Sequence, residues 1–114
     1  MIRFSHNLAI VVGRLTRDPE VNSTKNGFAG NFSLATDESY LDSNKQRVER
    51  VEYHRIIVFN NDAVYMRDNA KKGDYVIVHG RRQTRKWEKD GVSQSTVEII
   101  ADIITPIETV KKTQ

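Results

Sequence analysis

The sequence predicts an all-β domain, a five-stranded Greek-key barrel with one short helix between strands 3 and 4. Three observations predict it. Segments rich in β-branched and aromatic residues recur along the chain, separated by clusters of Gly, Asn, Asp and Pro. A single stretch, from Asn60 to Gly73, carries its apolar residues at helical spacing. The 114 residues suffice for one core and leave no room for a second fold.

The first strand is expected over Asn7 to Leu15, whose run Leu8-Ala9-Ile10-Val11-Val12 is β-branched and too short for a buried helix; Gly13 marks a kink or bulge. Asp18 and Pro19 end or redirect it. Val21 to Gly30, with Asn22, Ser23, Asn26 and Gly27, reads as a turn preceded by a poor strand. Asn31 to Thr36 is the second strand, with Phe32 and Leu34 on its core face. Asp37 to Arg50 carries Asp37, Glu38, Asp42 and Glu49 against Lys45, Arg47 and Arg50 and has little to bury, so a mobile arm is expected, an extended hairpin being one form of it.

Val51 to Phe59 is the central strand. Tyr53, Arg55, Ile57 and Phe59 point one way, and His54, Ile56 and Val58 the other. Asn60, Asn61 and Asp62 suit a helix cap, and Ala63, Met66 and Ala70 give the helix an apolar stripe. Lys71 and Lys72 fit its last turn and Gly73 its left-handed end. Tyr75 to Gly80 is the fourth strand, with His79 read as an interface or surface residue. Arg81 to Lys89 places five cations and one Glu around Trp87. Asp90-Gly91 suits a type I′ turn, so Val92 to Ile104 returns as the partner strand of a basic arm, and Pro106 closes the domain.

Composition narrows the chemistry. Without Cys, neither a disulfide framework nor a thiolate metal site can form, and His6, His54 and His79 lack metal-site spacing, so no metal or cofactor is expected. No apolar run reaches membrane-spanning length and no secretory pattern opens the chain. A cytoplasmic place is expected. Net charge is +3, and its concentration around Trp87 points to a polyanion.

Two stretches carry the binding chemistry. On the central strand, Tyr53 and Phe59 flank Arg55, which offers π surfaces for bases and a cation for the phosphate chain; the same pattern also fits a strand buried on both sides. In the basic arm, Trp87 beside Arg85 and Lys86 makes a stacking platform, against the plainer reading of a buried Trp. Tyr40 is either a solvated loop residue or a further stacking ring. The strand and helix order fits the oligonucleotide-binding type of barrel.

Over nearly its whole length the chain resembles the bacterial single-stranded DNA-binding protein family. The resemblance lies in Gly13-Arg14-Leu15-Thr16-Arg17-Asp18-Pro19-Glu20-Val21, Asn31-Phe32-Ser33-Leu34-Ala35-Thr36, Glu52-Tyr53-His54-Arg55 with Val58-Phe59, Lys71-Lys72-Gly73, and Arg82-Gln83-Thr84-Arg85-Lys86-Trp87. It implies a non-enzymatic homotetramer that binds and protects single-stranded DNA during replication, recombination or repair, without strong sequence preference. The DNA-binding residues are then Tyr40, Tyr53, Arg55, Phe59, Arg82, Arg85, Lys86 and Trp87. Bacterial members commonly carry Trp at the positions of Tyr40 and Tyr53, and often Lys at Leu8 and Glu at His79, so the subunit contact differs here.

Two other classes fit the sequence less well. A metal-dependent nuclease would need carboxylates that converge, and Asp18, Glu20, Asp37, Glu38 and Asp102 show no such spacing. An interaction module of the primosomal replication protein N type would also lack an acidic tail, but it does not account for the Trp87 arm. Residues 1–107 are expected to form the domain and 108–114 a short polar tail. That tail carries Lys111 and Lys112 rather than clustered carboxylates, so tail-mediated recruitment of replication or repair proteins is not expected.

Overall fold

The computed structural model describes residues 4–107, so the expected polar tail over 108–114 lies outside the described residues. Along the chain run β1 (Ala9–Leu15), β2 (Glu20–Thr24), β3 (Gly27–Asp37), β4 (Tyr40–Leu41), β5 (Arg47–Val48), β6 (Val51–Phe59), α1 (Asn60–Asn69), β7 (Tyr75–Lys89) and β8 (Val92–Pro106).

Five strands make the barrel. Neighbours follow the order β1-β7-β8-β6-β3, and β3 returns to β1. Two seams are thin: Arg14 with Ala35 and Leu15 with Leu34 join β1 to β3, while Ile56 with Ile99 and Ile57 with Ile100 join β6 to β8 in parallel. The barrel is therefore only partly closed, and its stability rests on a packed interior more than on a continuous ladder. Leu15, Leu34, Ile56, Val58, Val78 and Met66 are fully buried there. Cutting one of the Leu, Ile or Met side chains back to Ala costs about 2–5 kcal/mol through lost contacts and the cavity left behind.

Eight strands stand among the described residues where five were expected. Val21 to Gly30 is not mainly a turn. Only Lys25 and Asn26 turn, and Glu20–Thr24 pairs with Gly27–Asn31 as a hairpin. Asn22 and Ser23 are poor strand formers, but the first half of β3 offers an unpaired edge, and backbone pairing outweighs their weak propensity. Further along the same edge β3 exchanges β2 for β1. The Asp37 to Arg50 segment contains the short hairpin β4–β5, tied by Asp42 Oδ1, which accepts from the backbone N–H groups of Asn44 and Gln46 at 2.8 and 2.9 Å.

Gly13 does not mark a bulge, since β1 pairs with β7 without interruption from Ala9 to Arg14. A Cβ at Gly13 would lie 2.7 Å from the Ala35 carbonyl oxygen, so the glycine allows β3 to close against β1. The irregularity falls at His79 and Gly80 in the β7–β8 pairing.

Helix α1 packs on β3 and β6 through Ala63 and Met66. Its ends differ from expectation. Among the described residues no side chain caps the N-terminus; Asn60 (φ 51°) instead accepts the Phe28 N–H through Oδ1 at 3.3 Å, tying the end of β6 to the start of β3. Lys71 and Lys72 fall beyond the C-terminus, where Arg67 is the basic residue of the last turn. The Lys72 N–H donates to Asp18 at 2.7 Å and the Gly73 N–H to the Leu15 carbonyl at 2.9 Å, which anchors this turn to the end of β1.

Candidate nucleic-acid interface

The register puts one continuous outer face across four strands. On β3 it shows Ala29, Asn31, Ser33 and Ala35, which pair with Phe59, Ile57, Arg55 and Tyr53 of β6. On β8 it shows Ile100, Glu98, Thr96 and Gln94, which pair with Arg81, Gln83, Arg85 and Trp87 of β7. The parallel pair Ile57 and Ile100 joins the two halves. Small residues stand opposite the aromatics of β6, so nothing on β3 rises to cover their rings. Tyr53 and Phe59 are accordingly 67% and 50% exposed, which removes the reading of a strand buried on both sides.

The β7–β8 ribbon extends past the barrel, since β6 meets β8 only at Ile99 and Ile100. At its tip Asp90 (φ 55°) and Gly91 (φ 78°) both take the left-handed conformation that a type I′ turn requires. Trp87, 38% exposed, lies near this tip on the outer face with Arg85. The Arg85 guanidinium carbon lies 4.6 Å from the Trp87 ring centroid, a cation–π contact between neighbours on one face of the ribbon.

Between the two aromatic-bearing strands sits Glu98. Its side chain is 3% exposed, and Oε2 accepts the Nε–H of Arg55 at 2.9 Å and that of Arg85 at 3.2 Å. Nearby, Arg17, Asn31, Ser33, Tyr53, Arg55 and Thr96 line a shallow groove, which adds a cation from the β1–β2 connection. Among the described residues, no group of three or more His, Asp or Glu could hold a metal ion.

Of the eight residues singled out from the sequence, the fold thus gathers Tyr53, Arg55, Phe59, Arg85 and Trp87 on one face. Arg82 and Lys86 alternate to the opposite face of β7, across from Ile99 and Ser95. The backbone of Arg82 is fixed by Asn7, whose Oδ1 accepts its N–H at 3.0 Å and whose Nδ2 donates to its carbonyl at 2.8 Å. Tyr40 stands apart on the β4–β5 hairpin, paired with Val48 and 52% exposed. That hairpin is secured by Asp37, which accepts the Ser39 hydroxyl and N–H at 2.6 and 3.0 Å; these bonds, helped by Arg47, hold the Asp37 carboxyl below its ordinary pKa.

Glu98, Arg17 and the β3 residues were not singled out from the sequence. For Glu98 a signal existed: a carboxylate between Val97 and Ile99 needs a cation, and a two-residue turn at Asp90-Gly91 sets it opposite Gln83 and diagonal to Arg85. For Arg55, 43 residues away, no local signal exists.

The sequence model of the single-strand binding protein family matches residues 6–107. The chain belongs to the single-strand binding protein family. Two relatives, the single-stranded DNA-binding proteins of Neisseria meningitidis serogroups A and B, are each 45% identical over 100 residues. Each match covers 86% of this chain and 58% of the relative, so the chain spans little more than half the length of these relatives. Among solved structures, the fold is similar to the Plasmodium falciparum SSB in complex with ssDNA, with TM-score 0.85, 27% identity, and coverage of 95% of this chain and 100% of that one. It is also similar to a deletion mutant of the single-stranded DNA binding protein from Thermus aquaticus, with TM-score 0.79, 33% identity, and coverage of 90% and 51%. The single-strand binding family proteins are DNA-binding, and their fold agrees with the oligonucleotide-binding barrel, here partly open and with accessory strands. The primosomal replication protein N reading is not favoured.

Proposed function

We propose that this chain binds single-stranded DNA with little sequence preference and shields it during replication, recombination or repair. The observation that carries this reading is the shared outer face, where exposed Tyr53, Phe59 and Trp87 are interleaved with Arg55 and Arg85. Aromatic rings stack on any base, because every base has a π face, while the guanidinium groups take the phosphates. A duplex hides its base faces and offers phosphate attraction alone. The role needs no bond to form or break, so the chain acts as a binder and not as an enzyme. Labelled oligonucleotide incubated with Mg²⁺ or Mn²⁺ should therefore stay intact.

The functional unit in this reading is a homotetramer. Leu8, Ile10 and Val12 beside β7, with Ile103 on β8, leave an apolar face that is half or more exposed in the single chain. Its middle holds His79, paired with Ile10 and Ile103, whose Nδ1 is shielded from solvent and has no hydrogen-bond partner among the described residues. A second copy would cover the apolar groups and can supply that nitrogen with a partner.

Trp87 is the only tryptophan, so its fluorescence reports binding directly. Titration with a mixed-sequence single strand should quench it at concentrations where the matching duplex does not. Equal affinity for both forms would remove the stacking face from the function.

A further inference from the structure

We infer that Glu98 is a positioning residue for single-strand binding, a buried carboxylate that holds Arg55 and Arg85 as one phosphate-reading pair and keeps Arg85 on the Trp87 ring. This rests on the proposed function. A carboxylate withdrawn from water needs a cation; Glu98 has two, and one unit of positive charge is left over at the centre of the aromatic face. The two guanidinium groups are not buried with it. Their side chains are 41% and 47% exposed, so the surplus charge is offered to solvent.

The bonding pattern sets the direction of that offer. Both arginines give Glu98 their Nε–H, and among the described residues no protein acceptor takes their Nη groups. An arginine tied at Nε keeps its two-nitrogen outer edge for a bidentate contact, the geometry that suits a phosphate. Arg55 is on β6 and Arg85 on β7, with β8 and Glu98 between them, so one oxygen links the strand that bears Tyr53 and Phe59 to the strand that bears Trp87. Without the carboxylate the two cations repel each other and Arg85 loses the anchor that places it over Trp87.

The test compares Glu98→Gln, Arg85→Gln and the double variant with wild type, using Trp87 emission and affinities for a mixed-sequence single strand and its duplex. Removing the negative charge favours every polyanion, whereas lost positioning harms only stacked single strands, so the ratio of the two affinities isolates positioning. In Glu98→Gln that ratio should fall about tenfold, within the range of one stacked base. The Trp87 emission of the free protein should also shift. When the same change is made in Arg85→Gln, the Trp87 shift should nearly vanish and the fall in the ratio should shrink to the part carried by Arg55, where a merely structural role for Glu98 would still act in full. If Glu98→Gln does not fold, Arg85→Lys decides: it keeps the charge but cannot give Glu98 an Nε–H while lying flat on Trp87, so it should lose nearly as much single-strand affinity as Arg85→Gln. Full affinity in Arg85→Lys, or an unchanged ratio in Glu98→Gln, overturns the role of Glu98 while the proposed function stands. Failure of wild type to bind single strands overturns both.

Discussion

Arg85 lies over Trp87 because residues two apart in β7 share its outer face, and the guanidinium carbon comes within 4.6 Å of the ring centroid. The ring is thereby held against a cation while 38% of the residue stays exposed to a base. A tryptophan so ordered loses little freedom on binding, which favours stacking over a mobile side chain in the same place.

Alanine at Tyr53, Phe59 or Trp87 should each weaken single-strand binding by about 1–3 kcal/mol. All three are exposed, so their melting temperatures should stay near that of wild type. Fluorescence anisotropy of a labelled strand and a thermal melt separate the two effects. A Phe59→Ala protein that melts far lower yet binds normally would make Phe59 a packing residue.

Salt dependence tests the path of the strand. If about five phosphates are neutralised per subunit, log affinity against log salt should have a slope of roughly −3 to −4. On a path along the outer face, Arg55→Ala should flatten the slope by about 0.7, and Lys86→Ala, which changes the opposite face of β7, by less than half of that. Equal flattening would show that the strand crosses both faces of the ribbon.

Assembly should respond to the β1–β7–β8 surface. Ile10→Asp places a charge where a second copy would pack, and should reduce the mass seen by light scattering at micromolar concentration. His79→Leu removes a shielded nitrogen that has no partner among the described residues: stronger assembly would show that the second copy leaves it unpaired, weaker assembly that the second copy bonds to it. A monomeric wild-type protein would end the tetramer proposal.

The Tyr40 hairpin should be acid-sensitive. The folded pKa of Asp37 is depressed, chiefly by the Ser39 hydroxyl and N–H and then by Arg47. The stabilisation is thus complete above the ordinary carboxylate range and is lost as pH falls through the lowered folded value. The Ser39 amide resonance should shift in that acid window, and Asp37→Asn should abolish the shift.

Alternation and turn chemistry are local, and they made much of this protein legible in its sequence. The phase of β6 followed from a two-residue period that sends Ile56 and Val58 inward and Tyr53, Arg55 and Phe59 outward, and the ribbon's turn followed from Asp90-Gly91. Pairing across long sequence separations was not legible. That Glu98 would meet Arg55, that β3 would exchange β2 for β1, and that Gly13 would serve a close approach to Ala35 all depend on how the sheet curls. The same holds for Arg82 and Lys86, whose nearness to Trp87 in sequence says nothing of the face they share, and for Tyr40, whose hairpin pairs with itself. Side-chain chemistry and period are set residue by residue along the chain. Which groups converge on one surface is set by register and sheet curvature, and these exist only once distant strands have packed around Leu34, Ile56 and Val78.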